Sequence, residues 1–283
     1  MQDFNSLFIY KGGFIELCIN LTAKAPDVRK NSGEIDEEKI YFLSRDFVVD
    51  PKIIDIFINE KQVKFCKCCY FKLGFEYKIK LCFKVVIDTC LNMFKDCGGI
   101  DYINFGRFVG EKIESLQNLL SDCVRLREVV FGGFKTSKVF SMNKTFANCS
   151  SLTKLDLSNF DTSNVTDMTG LFEECVNLED VNLSSFDTKN VKSMLSMFTS
   201  CKKIKHLNLS NYKFNYYLDY GPSFENATSL SLLSIGKDLK FLYHNYKGIF
   251  NNVKTKGIFI GNNVSKYKNI ERELPVRWRL IKK

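Results

Sequence analysis

The stretch that decides the fold runs from Met142 to Tyr212: MNKTFANCSSLTKLDLSNFDTSNVTDMTGLFEECVNLEDVNLSSFDTKNVKSMLSMFTSCKKIKHLNLSNY. One pattern returns in it every 26 residues, marked by Cys149, Cys175 and Cys201. The series extends back through Cys123 to Cys97, and forward to the small apolar residues Ala227 and Val253. Three positions before each cysteine stand Phe94, Leu120, Phe146, Phe172, Phe198, Phe224 and Phe250. Three positions after stand Ile100, Leu126, Leu152, Leu178, Ile204 and Leu230. Apolar series six and eight positions after it keep the same period, so the chain is a repeat of about seven units over residues 86–262.

Each unit has a physical reading. Leu155-Asp156-Leu157 alternates as a short half-buried strand does. Asp161-Thr162-Ser163-Asn164 is a polar turn cluster. Val165, Met168, Leu171, Phe172 and Cys175 then recur at spacings of three and four, which predicts a short helix or a pair of helical turns. One unit cannot bury its apolar face alone. Stacked units can, with parallel strands about 4.8 Å apart and a slab of roughly 30 Å. The fold class expected on this reading is α/β, a solenoid with a parallel sheet and short helices.

The quoted stretch resembles the BspA-like leucine-rich repeat, a 26-residue repeat of bacterial and protist surface proteins and lipoproteins. Its hallmark is M-x-x-M-F-x-x-C-x-x-L-x-x-L-D-L-S-x-F-D-T-S-N-V. Units three and four match it almost completely. Units one, two and five match its hydrophobic skeleton. Units six and seven are eroded, and the last strand, with Ile258 and Ile260, reads as slipped by one residue. The resemblance covers about residues 84–262. It implies a right-handed leucine-rich-repeat solenoid and a role in recognition, as an adhesin or another surface-displayed binder.

Residues 1–85 lie outside the repeat and hold strand-like runs, Leu7–Tyr10, Phe14–Ile19, Ile53–Ile58, Val63–Leu73 and Tyr77–Phe83. They predict a small β-rich domain whose last strand feeds the first repeat and caps it, because a bare end exposes core and a strand edge. Asp27–Lys39 reads as a loop, and residues 263–283, including Trp278, as a basic cap at the other end. The net charge of +9 is C-terminal, since residues 236–283 hold 12 Lys/Arg against 3 Asp/Glu. No run of apolar residues is long enough for a membrane-spanning helix. The first 20 residues do not read as a signal peptide, which points to the cytoplasm. The family resemblance points instead to the cell surface or to secretion.

Catalytic and cofactor chemistry find little support. Eleven cysteines suggest metal or redox work, but one cysteine per 26 residues makes a line and not a tetrahedron. Buried thiols acting as small hydrophobes are the better reading. Cys66, Cys68 and Cys69 form a C-x-C-C cluster without zinc-knuckle spacing, with Cys66 and Cys68 expected on one strand face and Cys69 on the other. There are two histidines, His206 and His244, and no nucleotide, zinc-protease or hydrolase fingerprint. No catalytic residue, metal or cofactor is expected. Eight N-x-S/T sequons read as by-products of the repeat.

The best functional surface is the outward row of the repeat strands. Its residues are Tyr102, Asn104, Glu128, Lys154, Asp156, Asp180, Asn182, His206 and Asn208, with Lys202, Lys203 and Lys205 beside it. Such a mixed row suits a protein partner, or a glycan. Nucleic acid is not expected, because the basic stretch lacks a binding motif. The expected function is non-catalytic macromolecular recognition. The alternative is an intracellular scaffold, or a subunit of a larger assembly, docking through the basic C-terminal end.

Overall fold

A computed structural model describes residues 11–20, 37–210, 212, 221–235, 249–253, 255–261 and 274–282. Leu7–Tyr10 and residues 27–36 lie outside it, as do residues 263–273. Among the described residues there is no α-helix, and one three-residue 3-10 turn stands at Pro51–Ile53. The expected α/β class is therefore wrong. The described residues are built of strands and turns.

The turns explain how the spacing misled. In each unit every second amide leaves the unit. Lys144 N donates to Thr169 O at 2.9 Å, Phe146 N to Leu171 O at 3.1 Å and Asn148 N to Glu173 O at 2.7 Å. The amides between them close tight turns, Thr145 N on Met142 O, Ala147 N on Lys144 O and Cys149 N on Phe146 O. An α-helix needs successive amides to point back four residues. Here residues in the left-handed region interrupt that at a fixed beat: Asn118 and Asp122, Lys144 and Asn148, Gly170 and Glu174, Ser196 and Ser200. Asn, Asp and Gly tolerate that conformation best. Four-residue turns set end to end place Met168, Leu171, Phe172 and Cys175 inside, at the spacing a helix would also give. Isolated parallel bridges, Ser115↔Ser141, Ser141↔Asp167 and Asp167↔Ser193, carry the same one-unit step.

The strands form the other wall. In chain order they are β1 (Gly13–Asn20), β2 (Glu37–Tyr41), β3 (Ile54–Ile58), β4 (Lys61–Val63), β5 (Cys68–Lys72), β6 (Glu76–Phe83) and β7 (Tyr102–Phe108). There follow β8 (Glu128–Val130), β9 (Lys154–Asp156), β10 (Asp180–Asn182), β11 (His206–Leu209), β12 (Leu232–Ile235), β13 (Gly257–Gly261) and β14 (Trp278–Lys282). The repeat strands pair in parallel, one unit apart: Ile103↔Val129, Leu155↔Val181, Leu207↔Leu233 and Leu233↔Phe259. The last of these removes the expected slip, because the register of the repeat runs through β13. Beyond it β14 adds a further parallel strand, with Phe259↔Leu280.

At the N-terminal end the sheet order is β4-β3-β6-β1-β7-β8. The strand that joins the repeat is β1, antiparallel to β7, and not the last strand of the segment, β6. β3 and β4 are a hairpin turned by Asn59 and Glu60, both at positive φ, which suits the twist of a two-residue connection. Asp101 ties the two parts together. Its carboxylate accepts from Asn20 N at 2.7 Å and from Arg125 Nη2 at 3.1 Å, and Arg125 also donates to the Asn20 carbonyl.

Between the two walls lie ladders. Phe146, Phe172, Phe198, Phe224 and Phe250 stack ring on ring at 5.3–5.9 Å, and Trp278 closes the column 5.7 Å from Phe250. Each such pair adds about 0.5–1.5 kcal/mol beyond its buried area. The indole lies so close to Gly257 that a Cβ there would stand 2.3 Å from Cε2. The buried thiols form a second ladder: Cys123, Cys149, Cys175 and Cys201 donate to the carbonyls of Phe94, Leu120, Phe146 and Phe172 at 3.0–3.2 Å. Ala227 and Val253 fill the same place without a donor and are also buried.

The polar cluster is a set of rivets between units. Thr162 is fully buried; its hydroxyl accepts from Asp187 N at 2.8 Å and donates to Asp187 O at 3.1 Å. Asn164 Nδ2 and Asn190 Nδ2 reach back to the Ser137 and Ser163 carbonyls. Asp161 accepts from Ser163 N at 3.0 Å.

Two expectations follow. Cys175→Lys puts an unpaired ammonium in a fully buried place and lowers stability by about 4 kcal/mol or more, whereas Cys175→Ser keeps a donor and costs at most about 2 kcal/mol; urea denaturation measures both. The second concerns acid. The hydroxyl and amide of Ser163 hold the Asp161 carboxyl below its ordinary value. Its contribution to stability is complete above the unfolded value near pH 4 and is lost as pH falls through the lower folded value. Asp161→Asn removes that loss, so stability measured from about pH 5 downward falls less steeply than in the wild type.

Candidate functional site

The outward row runs across the sheet wall. Tyr102 and Glu128 are neighbours, as are Lys154 and Asp180, and His206 and Leu232. Glu128, Lys154, Asp180 and His206 are exposed, and Tyr102 is half-buried. Glu128, Lys154, Asp156, Asp180 and Asn182 line one open groove of about 760 Å³, with Asn159 and Val130. Tyr102 lies outside it, as does His206. The nine residues are thus brought to one face but not to one pocket.

Four of the nine have a structural task that the sequence reading did not assign. Asn104 accepts from Gly106 N, Asp156 from Ser158 N, Asn182 from Ser184 N and Asn208 from Ser210 N, at 2.7–3.2 Å. Asp156, Asn182 and Asn208 close the turn after their own strand, whereas Asn104 and Gly106 both lie within β7, where the register against β1 shifts. The Ser158 amide and hydroxyl also hold the Asp156 carboxyl below its usual value. The residues free to carry specificity are the other five: Tyr102, Glu128, Lys154, Asp180 and His206.

The face extends beyond the repeat. Cys18 stands opposite Tyr102, and Glu16 opposite both Asn104 and Lys80. Glu16, Cys18, Phe57, Glu76, Lys78, Lys80 and Tyr102 share a hollow of about 490 Å³. Burial, and then Glu128, push the Tyr102 hydroxyl up; burial, and then Glu76, push the Cys18 thiol up to about 11. Antiparallel strands outside the repeat have no period from which this register could be read.

At the other end, His206, Leu232, Lys256, Arg277, Trp278 and Arg279 line a shallow groove of about 980 Å³, with no carboxylate among the described residues of its wall. Lys202, Lys203 and Lys205 are exposed nearby. His244 lies outside the described residues.

The cysteine cluster differs from its expectation. The strand begins at Cys68, so Cys66 precedes it, and Cys66 Sγ meets Cys69 Sγ at 3.2 Å instead of sharing a face with Cys68. Among the described residues no group of three His, Cys, Asp or Glu side chains could hold a metal ion. No described helix is long and apolar enough to cross a membrane. Three sequon asparagines use their amide nitrogen in contacts between units: Asn143 to Asp167, Asn148 to Asp122 and Asn164 to Ser137. A glycan on that atom would displace the contact.

Comparison with known proteins gives one result. No curated protein matches the chain, and no solved structure does. A family model described as "Mycoplasma protein of unknown function, DUF285" matches residues 88–212 and again residues 114–238. The two matches are offset by one 26-residue unit and together span more than half of the chain. This match corrects the resemblance to the BspA-like leucine-rich repeat, as does the absence of any helix from the described units. The leucine-rich-repeat solenoid expected from it falls with it. The chain belongs to the DUF285 family of Mycoplasma proteins of unknown function.

Proposed function

We propose that the protein is a non-catalytic recognition module that binds a macromolecular partner, a protein in the first instance, through the outward face of its strand wall. The observation that carries this reading is a division of labour. Asn104, Asp156, Asn182 and Asn208 each bond a backbone amide two residues on, while Val130 and Ser234 stand at the same place in their units. Their neighbours Tyr102, Glu128, Lys154, Asp180 and His206 differ in every unit, and all but the half-buried Tyr102 are exposed. A row whose chemistry changes from unit to unit on a repeating backbone suits a partner contacted at many modest points. A second reading, an assembly subunit docked through its C-terminal end, draws on the groove lined by Lys256, Arg277, Arg279 and His206.

Photo-crosslinking tests the first reading. A crosslinking residue is placed at Lys154 or Asp180, and at Lys189 outside the row, in the native host. The expected outcome is one shared adduct from the two row positions and none from Lys189. With that partner purified, Lys154→Glu combined with Asp180→Lys weakens binding at least about tenfold while urea denaturation is unchanged. Equal adducts from all three positions, or unchanged affinity of the double variant, would overturn it. Adducts only from a crosslinker at Arg279 would favour the second reading instead.

A further inference from the structure

The eleven cysteines are not alike. Cys123, Cys149, Cys175 and Cys201 are fully buried and spend their protons on carbonyls of the preceding unit. Enclosed on all sides, these four thiols are out of reach of a small molecule, which leaves them inert. Among the described residues one sulfur–sulfur contact exists, Cys66 Sγ to Cys69 Sγ at 3.2 Å. Both residues are half-buried, so a small molecule can reach the margin of the core at which they lie.

The backbone between them is clamped. The Lys67 carbonyl accepts from Phe42 N at 3.0 Å and from Leu43 N at 3.1 Å. The Lys67 ammonium donates to the Arg45 carbonyl at 2.9 Å and to the Phe47 carbonyl at 2.6 Å. On the other side Cys69 sits in β5, opposite Ile40 of β2. Two thiols three residues apart are thus held in contact by groups that take no part in the sulfur chemistry. Such preorganisation removes most of the ordering cost of joining them.

We propose that Cys66 and Cys69 are a reversible thiol–disulfide site that exchanges with low-molecular-weight disulfides. One thiolate attacks a sulfur of the small disulfide and releases one small thiol. The second protein sulfur attacks the mixed disulfide and releases the other. Two protein S–H bonds are lost and one S–S bond forms. The small disulfide gains both electrons and both protons and leaves as two thiols. The loop closed is short, so the bond adds little as a staple and is readily reduced. Cys68 precedes Cys69 in β5, so its side chain leaves the opposite face of the strand, and no sulfur contact is formed by it among the described residues. Burial, and then the Cys69 contact, hold the Cys66 thiol up at about 12. The thiolate is the attacking form, so the exchange quickens as pH rises.

The experiment uses the full chain, reduced, then exposed to oxidised glutathione at two pH values one unit apart, with quenching, alkylation and peptide mapping by mass spectrometry. The expected first product has lost two hydrogens, carries a Cys66–Cys69 link and keeps the other nine thiols free. It forms faster at the higher pH, and dithiothreitol reverses it. Cys66→Ser is expected to stop at a mixed disulfide on Cys69. The proposal is overturned if the first link joins other cysteines, if the wild type stalls as a mixed disulfide, or if Cys66→Ser loses two hydrogens at the wild-type rate.

Discussion

Everything in this molecule depends on where alternate backbone amides point. In a helix each amide is satisfied within its own segment. Here Lys144, Phe146 and Asn148 send theirs to the next unit, and Gly170, Phe172 and Glu174 repeat the step. A single unit cannot satisfy its own polar backbone, just as it cannot bury its own Phe and Cys. Stacking answers both needs together. The left-handed residues at 118, 122, 144 and 148 are the local cost of turning the chain so that its amides alternate. The thiol, threonine and asparagine ladders then take up the carbonyls and amides that the backbone leaves over.

This explains which parts of the fold could be read in the sequence. The positions that recur, such as Cys149, Phe172 and Leu155, are buried ones, and burial imposes a period on any stacked chain. The local conformation was not readable, because four-residue turns and a helix leave the same apolar spacing of three and four. The means of telling them apart was present in the type of residue. Asn, Asp and Gly recur among the left-handed positions, at Asn118, Asp122, Asn148 and Gly170, and these are the types that accept the region most easily. The register of β1 against β7 and the meeting of Cys66 with Cys69 arise from contacts without a period, so no pattern announced them.

The candidate face divides in the same way. Its outward alternation followed from the strand pattern. What the pattern could not distinguish was a side chain turned to solvent for a partner from one that closes its own turn. Asn182 and Asn208 look like ligand-binding amides in a sequence and prove to be turn closures in the structure. The variation that remains, at Tyr102, Glu128, Lys154, Asp180 and His206, is the part of the surface that the stack does not need.

The amide pattern can be observed directly. Scalar coupling across hydrogen bonds, in triple-resonance NMR of labelled protein, identifies the carbonyl that each amide reaches. The expected result is a coupling from Phe146 N to the Leu171 carbonyl carbon and from Phe172 N to that of Met197. Couplings from Phe146 N to Met142, and from Phe172 N to Met168, would mean helical units and would contradict the account.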